Sequence, residues 1–439
     1  MSWKNVKLGD ICTIEKGLTG IQKAIPGKYP LVVTSEARKS HAEFQFDDEA
    51  VIIPLVSGTG HGHASINRIH FQKGKFALGN ILCAVIPKDK HQLSAEYLYR
   101  FLDLNKENEL VARMRGMANV TLPMKEIALI EIPLPSLQEQ NKFVENYKNL
   151  ENKSDSLSSE LTHQLFLVKK LRQQLLQDAV QGKLVEQNKN DEPASELLEK
   201  IKAEKEKLVA QKKLKKEIEL PPIKPEEIPF EIPKNWVWCK LGDIILSAKD
   251  GPHFSPKYAE TGIPFISTRN ISTKGIDFTT AKYISEEYHK EISRKCKPQK
   301  GDLLYTKGGT TGIATVNIYD IEFNVWVHVA VLRMPNIINP FYLKNCLNSS
   351  HCYNQSQQLT RGISNQDLGL TRMINITIPL PPLSEQHRIV QKLDELMQNC
   401  DSLEESIKQS ATQNEKLLRQ VLREALHPKE IVNDQMVKE

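Results

Sequence analysis

The most regular feature of the chain is a stripe of apolar residues spaced by alternating steps of four and three. It begins at Phe143 and ends at Leu175, with polar Ser154 and Gln164 as interruptions. Such spacing is typical of the a and d positions of a coiled-coil helix. The stripe therefore predicts a long helix whose apolar seam includes Leu150, Leu157, Leu161 and Leu171.

The flanking residues place the ends of this helix. Ser136 followed by Glu139 forms a capping-box pattern, in which each side chain bonds to the backbone N–H of the other residue. The sequence then has no Pro or Gly until Gly182, a residue type that suits the position just beyond a helix C-terminus. We therefore expect one helix over 137–182.

A second stripe with the same spacing begins at Ile389 and ends at Val421, 246 positions after the first. Two matching stripes on one chain most simply pack on each other, so the pattern predicts an intramolecular coiled coil. At ~1.5 Å per residue, each helix would be roughly 65 Å long. Antiparallel pairing is favoured, because a pseudo-twofold axis then relates the two halves of the chain. The second seam includes Leu396, Leu403, Ile407 and Leu417.

The stripes belong to a longer internal repeat. Three segments recur 246 positions later, namely Arg115-Gly116, Ile132-Pro133-Leu134-Pro135 and Glu139-Gln140, which reappear from Arg361, Ile378 and Glu385. Near the start of each copy, Trp3 and residues 7–11 recur as Trp236 and residues 240–244, at an offset of 233. Two copies, as opposed to many, indicate a tandem two-domain chain and not a solenoid.

The remaining sequence mixes strand-like and helical patterns. Apolar stretches predict strands at 29–34, 50–56 and 75–86, and a helical pattern covers 94–104. We therefore expect an α+β fold, with two globular mixed domains separated by two long helices. The expected segments are a first globular domain (1–135), a helical spacer with a linker helix (136–220), a second globular domain (221–380), a second spacer helix (381–428) and a tail (429–439).

Composition narrows the function classes without selecting one. A net charge of +5 permits a nucleic-acid partner but does not require one. The mean hydropathy is −0.42, apolar runs are too short to span a bilayer, and the N-terminus lacks the apolar core of a signal peptide. We therefore expect a cytoplasmic protein without a membrane role. Seven cysteines without a Cys-x-x-Cys pair are expected to be free thiols.

The stretch 191–220 is a further helix candidate. Its eight lysines suggest a nucleic-acid patch, but eight acidic residues balance them. A solvated linker helix is therefore favoured.

Three motifs suggest catalysis or cofactor binding, and each has a simpler interpretation. Residues 339–342, Asn-Pro-Phe-Tyr, resemble the adenine-gripping loop of amino-methyltransferases but lack its second Pro, so a helix N-cap is favoured. The glycine-rich loop 308–312 lacks the Lys-Ser/Thr ending of a phosphate loop. The His61-Gly62-His63 cluster has no carboxylate or Cys at metal-ligand spacing, so a polar recognition loop is favoured. We expect no catalytic residue, metal or cofactor in this chain.

With catalysis and cofactor binding set aside, the polar loops of the chain carry residue types that proteins use to contact DNA. Arg pairs with the edge of guanine and Asn with that of adenine, whereas Lys, Ser and Thr hold phosphates. Such residues cluster in loops of both halves, and we regard them as candidate DNA-binding residues. They are Ser57, Thr59, His61, His63, Asn67, Arg68, Arg113 and Arg115 in the first half, and Lys249, His253, Thr268, Arg269, Asn270, Lys307, Thr310, Thr311 and Arg361 in the second.

Together, the repeat, the paired Ile-Pro-Leu-Pro segments and the two stripes resemble type I restriction–modification specificity subunits. The second half strengthens the resemblance at 251–253 (Gly-Pro-His), 262–271, 301–305 (Gly-Asp-Leu-Leu-Tyr) and 361–364, and the linker 182–198 looks like the central region of that family. The first half lacks a clear equivalent of Gly-Ile-Pro-Phe-Ile or Gly-Asp-Leu-Leu. Such divergence suits a domain that reads a different DNA sequence.

The resemblance implies a non-catalytic DNA-recognition subunit. Each globular domain would read one half of a split, asymmetric DNA site, and the helix pair would set the spacing. Two modification (methyltransferase) subunits would dock on the helices and bring S-adenosylmethionine, and restriction (motor-nuclease) subunits would use ATP and Mg. Two alternatives stay open: a stand-alone DNA adenine methyltransferase, and a coiled-coil adaptor that binds only proteins. Docking would use the seam residues given above together with Glu139, Gln140, Glu385 and Gln386.

Overall fold

The computed structural model describes residues 3–59, 63–117, 119–215, 219–362 and 366–426. The chain divides into two compact units. Unit 1 is Met1–His163 with Ile407–Glu439, and unit 2 is Gln164–Ser406. Among the described residues, no helix is both long enough and apolar enough to cross a membrane.

The globular part of unit 1 contains β1 (Lys4–Lys7), α1 (Leu8–Ile11), β2 (Cys12–Lys16), β3 (Tyr29–Val32), β4 (Lys39–His41), β5 (Phe46–Pro54), β6 (His70–Leu78), β7 (Leu82–Pro87), α2 (Ala95–Leu104), α3 (Lys106–Glu109), α4 (Met124–Ala128) and β8 (Glu131–Leu134). The long helix α5 (Leu137–Val180) follows, and its last part lies in unit 2.

Unit 2 continues with α6 (Ala194–Ala210), β9 (Val237–Lys240), α7 (Leu241–Ile244), β10 (Ser247–Asp250), β11 (Ile263–Ile266), β12 (Ile271–Ser272), β13 (Gly275–Ile276), β14 (Lys282–Ile284), α8 (Glu286–Ser293), β15 (Leu303–Thr306), β16 (Ala314–Val316), β17 (Asn324–Val325), β18 (Val329–Arg333), α9 (Pro340–Leu347), α10 (Ser350–Leu359), α11 (Leu370–Met373) and β19 (Thr377–Leu380). The long helix α12 (Leu383–Leu426) starts here and ends in unit 1.

A six-stranded sheet in the order β2-β7-β5-β6-β3-β4 forms the centre of unit 1. Its central strand β5 is buried on both faces, because Val51 and Ile53 belong to one apolar cluster and Ile52 to another. The strands predicted at 29–34 and 50–56 are therefore confirmed as β3 and β5. The single strand predicted over 75–86 is wrong, because the chain turns after Leu78 and β6 and β7 are separate strands.

Unit 2 has smaller sheets, and the largest has the order β10-β18-β15-β16. Its strands are also buried on both faces. Leu303 and Tyr305 lie in the cluster that includes the start of α12, whereas Leu304 lies in a second cluster on the other face. All seven cysteines of the chain are free and buried, as predicted.

Each unit joins the two ends of its repeat copy in one antiparallel ladder. In unit 1, β1 pairs with β8 and Lys4 lies opposite Leu134. In unit 2, β9 pairs with β19 and Val237 lies opposite Leu380. These pairs are equivalent under the two offsets of the repeat, so both ladders have the same register. The repeat in the sequence therefore corresponds to the same ladder in each unit. We call this ladder, β1 with β8 or β9 with β19, the frame of the unit.

A buried glutamine fastens the frame to the long helix in each unit. Gln140 accepts from the Ser94 backbone N–H at the start of α2 (2.8 Å) and donates to the Pro135 carbonyl (2.9 Å). Gln386 accepts from the Asn339 N–H at the start of α9 (2.9 Å) and donates to the last carbonyl of its Ile-Pro-Leu-Pro segment (3.0 Å). Both glutamines are fully buried. Their predicted docking role is therefore corrected, because their amides are used inside the unit.

The helix-start glutamates Glu139 and Glu385 also belong to this frame. Glu139 is exposed and accepts from the Ser136 backbone N–H (2.9 Å), so the predicted capping box is confirmed. Hydrogen bonds from Ser136 lower the pKa of Glu139. The Glu385 carboxylate is buried and accepts from the Trp236 indole N–H (3.0 Å). Burial raises the pKa of Glu385, and the predicted docking role is corrected for this residue because its side chain is enclosed.

In unit 1, the first part of α5 packs antiparallel against the last part of α12. Phe143 shares a buried cluster with Leu422. Further along, the Asn414 amide donates to the hydroxyls of Ser154 (3.0 Å) and Ser158 (3.2 Å). A single polar position in a coiled-coil seam specifies the register of the helices at a cost in stability.

In unit 2, the last part of α5 packs antiparallel against the first part of α12. Leu175 packs on the buried cluster that contains Ile389. The Arg172 guanidinium donates to carboxylate oxygens of Asp401 (2.8 Å) and Glu404 (3.1 Å). The predicted antiparallel pairing is thus present in each unit, and each pairing has its own polar contact.

The seam departs from the predicted strict heptad. The α12 seam passes through positions 414, 418, 422 and 426 in steps of four, and the longer period rotates the stripe around the helix. Leu161 and Ile407 are buried as predicted, whereas Leu150 and Leu396 are half-buried. The predicted interior placement is wrong for four leucines, Leu157, Leu171, Leu403 and Leu417, which are 45%, 44%, 47% and 61% exposed.

The ends of the other helices follow local chemistry. The linker helix α6 ends at Ala210, earlier than predicted, and Lys212 has the left-handed φ of +56° that often follows a helix. The Gly182 φ of +70° confirms the predicted residue after the α5 terminus. The Asn339 side chain accepts from the backbone N–H of Phe341 (2.9 Å), which confirms the predicted N-cap of α9.

Candidate nucleic-acid interface

Two loops of unit 2 that carry predicted DNA-binding residues lie side by side. One follows β15 and starts at Lys307, and the other runs from Arg361 towards α11. Gly308 and Asp367 form a backbone bridge, and Arg361 pairs with Asp367 across the second loop. The Leu368 N–H donates to the Lys307 carbonyl (2.7 Å). Distant segments of the sequence therefore form one edge of the unit.

Buried charges hold these loops to the sheet. The Lys307 ammonium lies 3.0 Å from Asp367 and 3.4 Å from Asp250 at the end of β10. Asp250 also lies 3.0 Å from Lys295 and 3.1 Å from His253. Burial opposes ionisation of Asp250, but the hydrogen bonds from Lys295 and His253 hold its pKa below the usual range. The carboxylate is therefore ionised and joins three loops.

Close packing fixes the same loop from the other side. A Cβ on Gly308 would lie 2.0 Å from the His328 ring nitrogen, so no other residue fits without movement. Burial and the Lys307 charge lower the pKa of His328. The loop therefore has a defined position beside the neutral imidazole.

The structure separates the candidates of unit 2 into two groups. Lys307, Thr311 and Asn270 are buried, so their assignment to DNA contact is corrected. Lys307 is held by carboxylates, the Thr311 hydroxyl accepts from the Gln357 amide (3.2 Å), and the Asn270 carbonyl oxygen accepts from the Ser267 N–H (2.9 Å). The others are exposed or half-buried and remain candidates, namely Lys249, His253, Thr268, Arg269, Thr310 and Arg361.

Unit 1 closes its loops in the same way. Arg115 and Thr121 exchange two backbone hydrogen bonds of 2.8 Å, as Arg361 and Asp367 do in unit 2. The Ser57 N–H donates to the Val120 carbonyl (2.9 Å), so the loop after β5 lies against this second loop. The described candidates at 57–59, 63–68 and 113–115 are thus brought to one edge of unit 1.

None of the described candidates on this edge of unit 1 is buried, whereas three candidates of unit 2 are. Arg68, Arg113 and Arg115 form ion pairs with Glu36 (2.7 Å), Glu109 (3.1 Å) and Glu126 (3.2 Å). Partly exposed pairs of this kind contribute only about 0–1 kcal/mol. The guanidinium groups can therefore exchange these carboxylates for DNA at little cost.

The hydroxyl residues of the same loop hold it together. The Ser57 hydroxyl donates to the His63 carbonyl (2.5 Å), and the Thr59 hydroxyl lies 2.9 Å from the Ser65 hydroxyl. Asn67 and His63 are exposed. The prediction for His61 falls outside the described residues.

Some half-buried or exposed residues of these units were not found from the sequence. In unit 1, the Arg38 guanidinium donates to Gln72 (3.1 Å) and lies 3.2 Å from His70. Burial and the Arg38 charge lower the pKa of His70 to about 4, so this ring is neutral at pH 7. Arg38 thus contacts two residues of β6 that lie more than thirty positions away in the chain, and sequence spacing carries no signal of such a contact.

Exposed aromatic rings were also missed in unit 2. Phe254 and Tyr258 are 57% and 45% exposed and follow His253 in the loop after β10. The Lys282 ammonium lies 4.1 Å from the centre of the Tyr258 ring. Two basic–aromatic pairs, His253-Phe254 and Lys257-Tyr258, occur in this loop, and this pattern could have identified the two rings, because exposed rings can contact bases by stacking.

The frames and the loops define a class of protein: a two-domain binding protein whose domains share one frame and differ in their loops. The model of the type I restriction modification DNA specificity domain matches residues 1–165 and 233–413. The chain belongs to this family. The resemblance seen in the sequence is thereby confirmed, together with the α+β fold with two long helices.

Curated relatives agree with this assignment. The chain is similar to the EcoEI specificity subunit of Escherichia coli (29% identity; 68% of this chain, 51% of the relative) and to its EcoAI counterpart (32%; 64% and 48%). The match therefore spans about half the length of these two relatives. The EcoDI specificity subunit is 24% identical over 97% of this chain and 88% of its own length. These relatives do not favour the methyltransferase or adaptor alternatives.

Two solved structures share the fold. The HsdS subunit from Thermoanaerobacter tengcongensis has a TM-score of 0.55 and 18% identity, and covers 98% of this chain and 97% of its own. A chain from a study of complex assembly and conformational transition of the type I R-M system has a TM-score of 0.57 and 17% identity, with 98% of each chain covered. At these identities, the likeness concerns the fold alone.

Proposed function

We propose that the chain is the DNA sequence-recognition subunit of a type I restriction–modification complex, and that each unit reads one half of a bipartite, asymmetric DNA site. The observation that carries the proposal is the shared frame with different loops. Arg115–Thr121 and Arg361–Asp367 occupy equivalent places in the repeat, yet their neighbours differ in charge and accessibility. Two readers with different contact residues recognise two different sequences, so the site is not palindromic.

The helices serve as spacer and docking surface in this proposal. Polar contacts such as Asn414 with Ser154 resist sliding of one helix along the other. The exposed leucines, including Leu171 and Leu417, offer apolar area to two modification subunits. These subunits would supply S-adenosylmethionine-dependent methylation, and restriction subunits would supply ATP- and Mg-dependent steps, in the cytoplasm.

Domain exchange tests the modular part of the proposal. Residues 1–135 are replaced by the corresponding segment of a relative, and the methylated motif is read by single-molecule sequencing of cells that carry the chain and its partner subunits. One half of the bipartite motif is expected to change and the other to persist. Replacement of residues 221–380 is the matched experiment and should change the other half. A change in both halves after either exchange would contradict modular reading.

The spacer part has its own test. Removal of seven residues from each long helix keeps the heptad positions in phase and shortens both helices equally. The number of base pairs between the half-sites is expected to change, while the half-sites themselves persist. An unchanged interval would show that the helices do not set the spacing.

A further inference from the structure

A small polar cavity in unit 2 is lined by five basic side chains. They belong to Lys249, Arg294, Lys295, Lys297 and Arg333, and none of the described lining residues is acidic. The cavity volume is about 120 Å³. Of these residues, only Lys249 was predicted from the sequence to contact a ligand, since the others lie far from it along the chain.

Strand pairing explains how the cavity forms. The antiparallel pairing of β10 and β18 places Ser247 opposite Arg333 and Lys249 opposite Val331. Because side chains alternate between the faces of a strand, these four residues lie on one face. The segment 293–299, which begins at the last residue of α8, forms the opposite wall. Two sheet strands and a loop thus converge on one point.

Three of the five cations are held in place by carboxylates outside the lining. Lys295 pairs with Asp250 (3.0 Å) and Arg333 pairs with Asp302 (2.7 Å). Lys297 pairs with the exposed Glu322. These pairs orient the basic groups but leave the cavity itself lined by donors.

The two remaining cations are not neutralised. Within the described part of the chain, neither Lys249 nor Arg294 has an ion-pair partner, and both are exposed. Like charges that line one cavity repel each other, and a bound anion reduces the repulsion. The cavity therefore has the electrostatic character of an anion site.

The size and the donors select the kind of anion. Sites for drug-sized organic ligands usually enclose about 300–1,000 Å³, so this cavity is too small for a nucleoside. Ammonium, guanidinium and the hydroxyls of Ser247 and Ser293 are the donors that proteins use for phosphate oxygens. We propose that the cavity binds a single phosphate group.

The position of the cavity favours a phosphate of the DNA backbone. Lys249 precedes Asp250, which contacts both Lys307 and His253 at the recognition edge of unit 2. A duplex bound at that edge would bring its backbone close to the cavity. This source rests on the proposed function, whereas a free phosphate group is a second source with the same chemistry.

The test uses the full chain with Lys249→Gln and Arg294→Gln combined. The control combines Lys290→Gln with Lys300→Gln, which removes the same charge from exposed positions nearby that do not line the cavity. Binding to a duplex that contains the methylated motif is measured at several salt concentrations. For the cavity variant, the slope of log affinity against log salt is expected to decrease by about 0.9, the value for one phosphate. The control should keep the wild-type slope.

Two further arms identify the source of the phosphate. Neutral methylphosphonate groups replace single phosphates along the duplex. At one position, this replacement is expected to lower the DNA affinity of the wild-type chain but not that of the cavity variant. Inorganic phosphate is titrated into DNA-free protein by calorimetry, and binding that only the cavity variant loses would support a free phosphate as ligand. If the variant matches the wild type in both arms, the cavity binds no phosphate. If the wild-type chain shows no specific DNA binding even when assembled with its partner subunits, the proposed function fails, and the titration with inorganic phosphate alone decides on the cavity.

Discussion

The buried glutamine of unit 2 gives the sharpest test of the shared frame. Gln386→Leu keeps the approximate volume of the side chain but removes both of its hydrogen bonds. The Asn339 N–H and the Pro381 carbonyl, bonded at 2.9 and 3.0 Å in the native structure, would be left without partners. Because Gln386 is fully buried, water cannot replace the lost amide.

The magnitude follows from the cost of unsatisfied buried groups. Each orphaned donor or acceptor costs about 1–3 kcal/mol, so Gln386→Leu should destabilise unit 2 by about 2–6 kcal/mol. Gln391→Leu is the matched control, because Gln391 is exposed on the same helix, and substitutions at such sites usually change stability by less than about 0.5 kcal/mol.

Hydrogen exchange measured by mass spectrometry suits this test, since the chain has two units and need not unfold in one step. Protection of the peptides that cover α9 and the start of α12 is expected to fall in Gln386→Leu, while the sheet of unit 1 keeps its protection. If Gln386→Leu and Gln391→Leu show the same protection, the buried glutamine does not hold the frame to the long helix.

Three further predictions follow from the charges and contacts. Burial raises the pKa of Glu385, so the folded unit binds the carboxyl proton more tightly than the unfolded chain does, and stability decreases as pH rises through the raised pKa. In denaturant titrations, Glu385→Gln should flatten that part of the profile of stability against pH. A profile equal to that of the wild type would contradict this prediction. Gly308→Ala should weaken DNA binding at one half-site at least tenfold, because the new Cβ would lie 2.0 Å from the His328 ring. Footprints of equal strength for the variant and the wild type would contradict this prediction. Arg115→Gln and Arg361→Gln should each weaken protection of a different half-site, and loss at the same half-site would refute separate readers.

The segments of the frame were more predictable from the sequence than the residues that reach solvent. The repeat offsets identified the start and end segments that recur in each copy, and in the structure the ladder of Lys4 with Leu134 matches that of Val237 with Leu380 in register. The capping box at Ser136 and the N-cap at Asn339 were also predictable. These features depend on residues near each other in the chain or on the repeat itself, so the sequence carries their full signal.

The candidate site was only partly predictable. Residue type indicated Lys307 and Asn270 as DNA contacts, but both are buried and serve the fold. Residue type alone does not distinguish a lysine that faces solvent from one that Asp250 and Asp367 neutralise. Arg294 was missed for the opposite reason, since its importance comes from a cavity formed by strands far from it in sequence.

The two-copy architecture, the family and the long helices could be predicted from the linear chain, because periodicity and repetition are properties of the sequence. Which positions of the helices face each other, and which loop residues reach solvent, is set only in the folded chain. The apolar stripe of α12 has a mean period longer than 3.5 residues, so Leu417 lies outside the seam. The buried Asp250 carboxylate forms an ion pair with Lys307, which is therefore buried and not at the surface. Both effects depend on distances between segments that are remote in sequence and become neighbours only in the folded chain.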